Sequence, residues 1–363
     1  MLKPCMDVAS FIETVSYRKT PKFMTPNTVV YEDRAAILRR FDGSRTGVPI
    51  LIIPPQAGHH SSIADYAEGQ SLVQACLKET TCPVYVIEWR TSSPYRFCEK
   101  IDDLVLQLHA CVQNIGAPVI LTGLCQGGWL GAMYCCLYPE NVKSLALAAA
   151  PIDFTAGGGK IQDIVQHMPI GFYQIMVTLG CGTMPGDFML AGWKILNFYE
   201  RFVRDYVNIW VNARNEAYLE RTKKFQTWYE YTQDISGSWY LEAVEKLFMK
   251  NMFIKEELFV LGKKLRLSSI TCPVAMLAGE KDDITLIPQL FNMRKYISTP
   301  QENIMQSIVK GAGHISVFMG KTALKENWPG VLKFLSEPQF PGTLNRASSQ
   351  TCDSRELMSY PDM

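Results

Sequence analysis

Between about residues 27 and 150 the chain alternates two kinds of hydrophobic pattern. Residues 48–54, 83–89, 118–123 and 142–150 are short, almost continuously apolar runs bounded by Pro, Gly or charged residues. Runs of this length without polar alternation predict strands buried on both faces. The segments between them, such as residues 101–112, repeat apolar positions at helical spacing. Buried strands alternating with amphipathic helices predict a parallel sheet joined by right-handed crossovers.

The pattern changes between residues 155 and 265, where the β-rich runs vanish. This stretch opens on Gly157-Gly158-Gly159 and holds Trp193, Trp210, Trp228 and Trp239 among many Tyr, Phe and Met. It predicts a mainly helical insertion. Residues 270–279 and 303–309 then restore two buried strands. The expected fold class is therefore α/β: a mostly parallel sheet with helices on both faces and a helical cap insertion. The expected limits are an N-terminal extension at 1–26, a core at 27–154 and 266–336, a cap or lid at 155–265, and a flexible tail at 337–363, which is rich in Pro, Ser and Thr and has no periodicity.

Composition narrows the function classes. With 36 Lys and Arg against 35 Asp and Glu, the net charge of +1 offers no basic stripe for nucleic acid. At 47% hydrophobic, the 363 residues can bury enough surface to fold. No run reaches the roughly 18–20 apolar residues of a membrane span. The 11 cysteines are odd in number and irregularly spaced, with no C-x-x-C pair, so neither a disulfide framework nor structural zinc is expected. The first residues lack an apolar secretory segment, and the expectation is a cytoplasmic protein with reduced thiols. No cofactor or metal is expected: Gly157-Gly-Gly-Lys160 lacks the phosphate-loop spacing.

The informative motif is Gly123-x-Cys125-x-Gly127, at the end of the third buried run and the start of a helical pattern. Small residues two positions before and after a nucleophile let strand and helix approach closely around a strained turn, which presents the side chain and aims the next backbone N–H at an oxyanion. That N–H belongs to Gln126. A thiol nucleophile needs a base, and there are five histidines, at 59, 60, 109, 167 and 314. His314 lies in Gly311-Ala-Gly-His-Ile-Ser, a glycine-flanked loop after the last strand, suited to presenting a side chain at the sheet edge. His109 fits a helix flank, and His167 falls in the cap. The order nucleophile, acid, histidine asks for a carboxylate after the restored strand. Asp282 is the first choice there and Asp283 the competitor. In folds with such an elbow the second oxyanion donor comes from the loop after the first buried strand. Pro55 has no N–H, so Gln56 or Ala57 supplies it. His59 and His60 flank that loop as substrate contacts or as a solvated pair. The chemistry implied is acyl transfer through a thioester on Cys125, with water or a hydroxyl as acceptor.

These residues resemble the polyhydroxyalkanoate synthase and intracellular poly(3-hydroxybutyrate) depolymerase branch of the α/β-hydrolases, over about residues 27–335. Thr25-Pro-Asn-Thr-Val-Val-Tyr-Glu-Asp33, the elbow Gly123-Leu-Cys-Gln-Gly-Gly128 and Ala150-Pro-Ile-Asp-Phe154 are similar to the synthases. Residues 185–193, 229–245, 279–284 and 313–329 are similar to the depolymerases. Synthases usually carry His after the acid, where this chain has Asp283; depolymerases usually carry Pro after Cys-Gln, where it has Gly127. The resemblance implies first a hydrolase of polyhydroxyalkanoate or 3-hydroxyacyl oligoesters, and second a synthase polymerising 3-hydroxyacyl-CoA. A third expectation is a granule-binding protein without turnover. Its implied partners are a polyester or hydroxyacyl ester, a polymer granule surface, and a second copy or a synthase partner subunit.

Overall fold

The computed structural model describes residues 2–17, 19–41, 45–116, 118–337. Eight strands form one sheet: β1 Thr28–Glu32, β2 Ala36–Arg40, β3 Ile50–Ile53, β4 Val84–Trp89, β5 Val119–Leu124, β6 Val142–Ala148, β7 Val274–Gly279 and β8 Ile304–Val309. Their order is β1-β2-β4-β3-β5-β6-β7-β8. β1 and β2 pair antiparallel with each other, β2 pairs antiparallel with β4, and every later pairing is parallel. The six strands expected as apolar runs are all present and all lie in the parallel part. β1 and β2 were not individually visible in the sequence, because β1 is largely exposed at the sheet edge and has no buried run to mark it.

Period two explains the layering. Along β3, Leu51 and Ile53 belong to one core, while Ile50 and Ile52 belong to the other. The first core is closed by α2 (Ile101–Ile115) and α3 (Gln126–Leu137). The second is closed by α1 (Leu72–Glu79) and by a C-terminal helix whose Trp328, Val331, Leu332 and Leu335 are buried. α2 starts where the Asp103 carboxylate accepts the Lys100 N–H at 2.8 Å and stops at Gly116, whose φ of 80° is the left-handed C-terminal turn that glycine favours. α3 is apolar nearly all round because it is covered on both sides. Trp129 on it stacks at 6.2 Å on Trp239 of the insertion.

Between β6 and β7 the chain is mostly helical, as expected, with two small exceptions. Thr183–Met184 pairs with Ile235–Ser236, and Phe259–Val260 pairs with Lys263–Lys264. A helix at Leu2–Ser16 precedes the sheet and leans on this insertion: Phe11 meets Trp210 edge-to-face at 5.6 Å, and Glu13 pairs with Lys223 at 2.6 Å. No helix among the described residues is long and apolar enough to cross a membrane. The expected loose tail lies outside the described residues, apart from Glu337 at its start.

Candidate active site

Cys125 stands between β5 and α3 with φ 51° and ψ −117°, a conformation that costs energy for any residue with a Cβ. The surroundings hold it there. Its N–H donates to the Ala148 carbonyl at 2.8 Å, and its carbonyl accepts from Gly128 N–H at 2.9 Å. The flanking glycines are required by close approach. A Cβ on Gly127 would lie 1.9 Å from the Ile53 carbonyl oxygen, one on Gly123 would lie 2.4 Å from the Gly128 Cα, and one on Gly128 would lie 2.3 Å from the Ala150 Cβ. A side chain at any of these positions would force strand, turn and helix apart.

The acid and histidine loops are tied together before either side chain is considered. Glu280 N–H donates to Val309 O at 3.1 Å, Lys281 N–H to Ala312 O at 2.9 Å, and Gly311 N–H to the Glu280 carboxylate at 2.7 Å. Gly279 permits the contact, since a Cβ there would sit 2.5 Å from Ala312 O. On this frame His314 Nδ1 faces both Asp282 oxygens, at 3.1 and 2.9 Å. Asp282 Oδ1 also accepts the N–H groups of Ile284 at 3.0 Å and Thr285 at 2.9 Å, and its side chain is fully buried. A carboxylate fixed by its own backbone and receiving Nδ1–H leaves Nε2 of His314 free for the nucleophile. Burial alone would lower the His314 pKa, but Cys125 and Asp282 beside it hold it well above the ordinary histidine value.

Asp283 points elsewhere. It pairs with Lys160 at 2.8 Å, and Lys160 also reaches Asn197 Oδ1 at 3.3 Å, so this carboxylate faces the insertion rather than His314. The two adjacent carboxylates, which sequence spacing does not separate, thus face different partners, His314 for Asp282 and Lys160 for Asp283.

Of the sequence-expected oxyanion donors, Gln126 is the first residue of α3, and Gln56 and Ala57 lie in the loop after β3. That loop borders the elbow: the Cβ that Gly127 lacks would also come within 3.0 Å of Pro54 O. Neither Gln56 nor Ala57 N–H donates to a protein acceptor among the described residues. The two loop histidines are not a solvated pair: each ring packs against, and is hydrogen-bonded to, other parts of the chain. His59 stacks on Trp228 at 4.9 Å and Tyr229 at 5.4 Å and bonds Tyr229 O at 3.1 Å; burial lowers its pKa to about 4. His60 is buried, accepts Ser62 N–H at Nδ1 and faces Glu88 at 3.3 Å through Nε2. His109 bonds the Tyr134 hydroxyl at 3.1 Å, and His167 is exposed in the insertion, where Nδ1 faces Asp163 O.

Burial pushes the Cys76, Cys111 and Cys136 thiols up, Cys111 to about 12, so they stay protonated. Among the described residues no group of three or more His, Cys, Asp or Glu could hold a metal ion.

Known proteins bear on this arrangement. The family model described as "PHB de-polymerase C-terminus" matches residues 149–339. A protein of Haloferax mediterranei named "Poly(3-hydroxyalkanoate) polymerase subunit PhaC" is 30% identical over 356 residues, 94% of this chain and 70% of its own length. A protein of the same name from Synechocystis is 26% identical over 87% of this chain and 85% of its own length. Among solved structures, an epoxide hydrolase of Bacillus megaterium has a TM-score of 0.52 at 14% identity, covering 86% of this chain and 100% of that one. That likeness, with the strand order above, shows the α/β-hydrolase fold.

Proposed function

The chain belongs to the polyhydroxyalkanoate synthase and depolymerase branch of the α/β-hydrolases, and on that premise we propose that it is an acyltransferase that builds polyester from 3-hydroxyacyl-CoA. The observation that carries the choice is the likeness over nearly the whole chain to relatives named as polymerase subunits. It reverses the order of the two sequence expectations: the polymerase moves ahead of the depolymerase.

The steps follow from the residues brought together. His314 takes the Cys125 proton at Nε2, and the sulfur attacks the thioester carbonyl. The oxyanion is held by Gln126 N–H and by Gln56 or Ala57 N–H. Collapse expels the CoA thiolate, which receives the proton back from His314, and leaves a 3-hydroxyacyl group on Cys125. The 3-hydroxyl of another hydroxyacyl group then gives its proton to His314 and attacks that thioester, forming an ester and freeing the thiol. Asp282 orients the imidazole and stabilises its protonated form.

Two features of the insertion support growth over hydrolysis. Lys160 links it to Asp283 beside the acid, and Met189 lies 3.1 Å from where a Gly58 Cβ would be, on the oxyanion loop. A cover tied down on both sides of the nucleophile limits water. The second feature is an apolar surface: Ile195, Phe198, Tyr199, Val207, Trp210 and Val211 are each more than half exposed. Such a face suits an aliphatic polymer surface and supports a granule-associated protein. A second copy or a partner subunit would compete for the same face.

The test is to supply the full chain with 3-hydroxybutyryl-CoA and follow CoA and product together. Polymer with equivalent CoA release, both reduced at least about 1,000-fold by Cys125→Ala, is the expected result. Free 3-hydroxybutyrate in place of polymer, or release of the acid from amorphous polyester alone, returns the assignment to the depolymerase.

A further inference from the structure

An open cavity of about 600 Å³ lies at the same edge of the sheet as Cys125, beyond the end of β4. One carbonyl marks the wall between the two. Pro54 O accepts the Trp89 indole N–H at 2.9 Å on the cavity side, and the Cβ missing from Gly127 would come within 3.0 Å of the same oxygen on the elbow side. β4 is two strands from β5 in the sheet, a lateral offset of about 10 Å at the usual strand spacing. Gln233 of the insertion joins the two sides, donating its backbone N–H to Gly58 O at 2.9 Å and its side-chain amide to Trp89 O at 3.1 Å.

The cavity's lining includes the basic Arg34 and Arg90, the aromatic Tyr95 and Tyr231, and the carboxylate of Glu88 beside His60. The carboxylates around it already have partners. Glu88 is held by Arg39 and His60, Glu32 pairs with Arg90, and Glu99 receives both arms of Arg96 at 2.8 Å. Arg34 is only loosely paired. Its Nε is 3.8 Å from Glu99, beyond hydrogen-bond length, and its side chain is 76% exposed. Arg90 spends one nitrogen on Glu32, and its buried Nε has no partner. Tyr95 is 95% exposed, a full ring face with nothing packed on it.

We propose that this cavity receives the diphosphate and nucleotide end of the CoA thioester, with Arg34 and Arg90 on the phosphates and Tyr95 stacked on the base. The assignment rests on the acyltransferase reading above. Guanidinium groups with unspent donors bind phosphate oxygens through charge-assisted hydrogen bonds, and an exposed phenol ring offers a stacking face to a purine. The placement also fits the shape of the substrate, because a long, neutral arm separates the thioester from the diphosphate. A cavity one loop away from the nucleophile can hold the charged end while the carbonyl reaches Cys125.

The experiment compares two donors of the same acyl group: 3-hydroxybutyryl-CoA and the 3-hydroxybutyryl thioester of N-acetylcysteamine, which lacks the nucleotide. Arg34→Ala is the variant of choice, since the residue is largely exposed and its ion pair with Glu99 is long, at 3.8 Å. It should raise KM for the CoA thioester about tenfold with kcat unchanged, and leave the truncated donor unaffected. Equal losses on both donors, or no change on either, overturns the proposal. Calorimetry with free CoA, ADP and inorganic phosphate separates this from the acyltransferase reading, because it needs no turnover. Binding of CoA that weakens about tenfold in Arg34→Ala supports the subsite even if neither thioester is consumed. Absence of CoA binding, equal binding by wild type and variant, or phosphate competing as well as ADP refutes it.

Discussion

The elbow and the exposed stretch of the insertion are built on opposite principles. Around Cys125 every approach is used: three glycines admit no Cβ, a positive φ is held by backbone bonds, and the acid and histidine loops are tied by backbone contacts. Along much of residues 192–211 the opposite holds. Gly192 has nothing within 4 Å of where a Cβ would lie, and large apolar side chains face outward. The first region leaves its backbone little freedom to move. The second leaves large apolar side chains exposed to solvent. Placing them next to each other, with Met189 against the oxyanion loop, joins a rigid chemical site to an apolar surface.

The strongest way to break that contrast is in the acid pair. Asp282→Asn should lower kcat about 1,000- to 10,000-fold, because it disturbs the orientation of His314, while Asp283→Asn should change it only a few-fold. Steady-state kinetics on both variants checks it; equal losses would mean that the ion pair with Lys160, not the histidine contact, carries the effect. Next comes the glycine contrast. Gly127→Ala should destabilise the fold by about 3 kcal/mol or more, through a backbone clash, while Gly192→Ala in its helix should stabilise by about 0.5–1 kcal/mol. Denaturant melts of the two variants would read both signs. On the apolar face, Val207→Lys with Val211→Lys should cut binding to an amorphous polyester film at least about tenfold and leave the melting temperature nearly unchanged.

The smallest expected effects are in pH dependence, and they have opposite signs. His59 has a lowered pKa, so its contribution to stability is complete above about pH 6.5 and is lost as pH falls through about 4. His314 has a raised pKa, so its contribution is complete below about pH 6.5 and is lost as pH rises through the elevated value. Melting curves across pH should lose their acid-side slope in His59→Gln and part of their alkaline-side slope in His314→Gln.

Much of the core was legible from the sequence for one physical reason. Parallel strands buried on both faces must be almost wholly apolar, so β3 to β8 announced themselves within a few residues. β1 escaped because an exposed antiparallel edge strand carries no such run. At the site, the glycines around Cys125 encode a close approach that the structure displays at each of them. Proximity to His314 came from chain order, but the choice between Asp282 and Asp283 is a matter of side-chain direction, which neighbouring positions share in sequence. His59 and His60 were illegible because their partners, Trp228, Tyr229 and Glu88, come from distant segments. The same is true of the Lys160 link to Asp283, made across more than a hundred residues.

The central claim is that Cys125 carries the acyl group. It is tested most directly by mixing the protein with 3-hydroxybutyryl-CoA, quenching in acid within the first turnover, and mapping the mass of each cysteine-containing peptide. A 3-hydroxybutyryl mass on the Cys125 peptide, matched by free CoA and present before polymer is detected, is the expected result. Polymer formed with that peptide unmodified, or with the acyl mass on another cysteine, would contradict it.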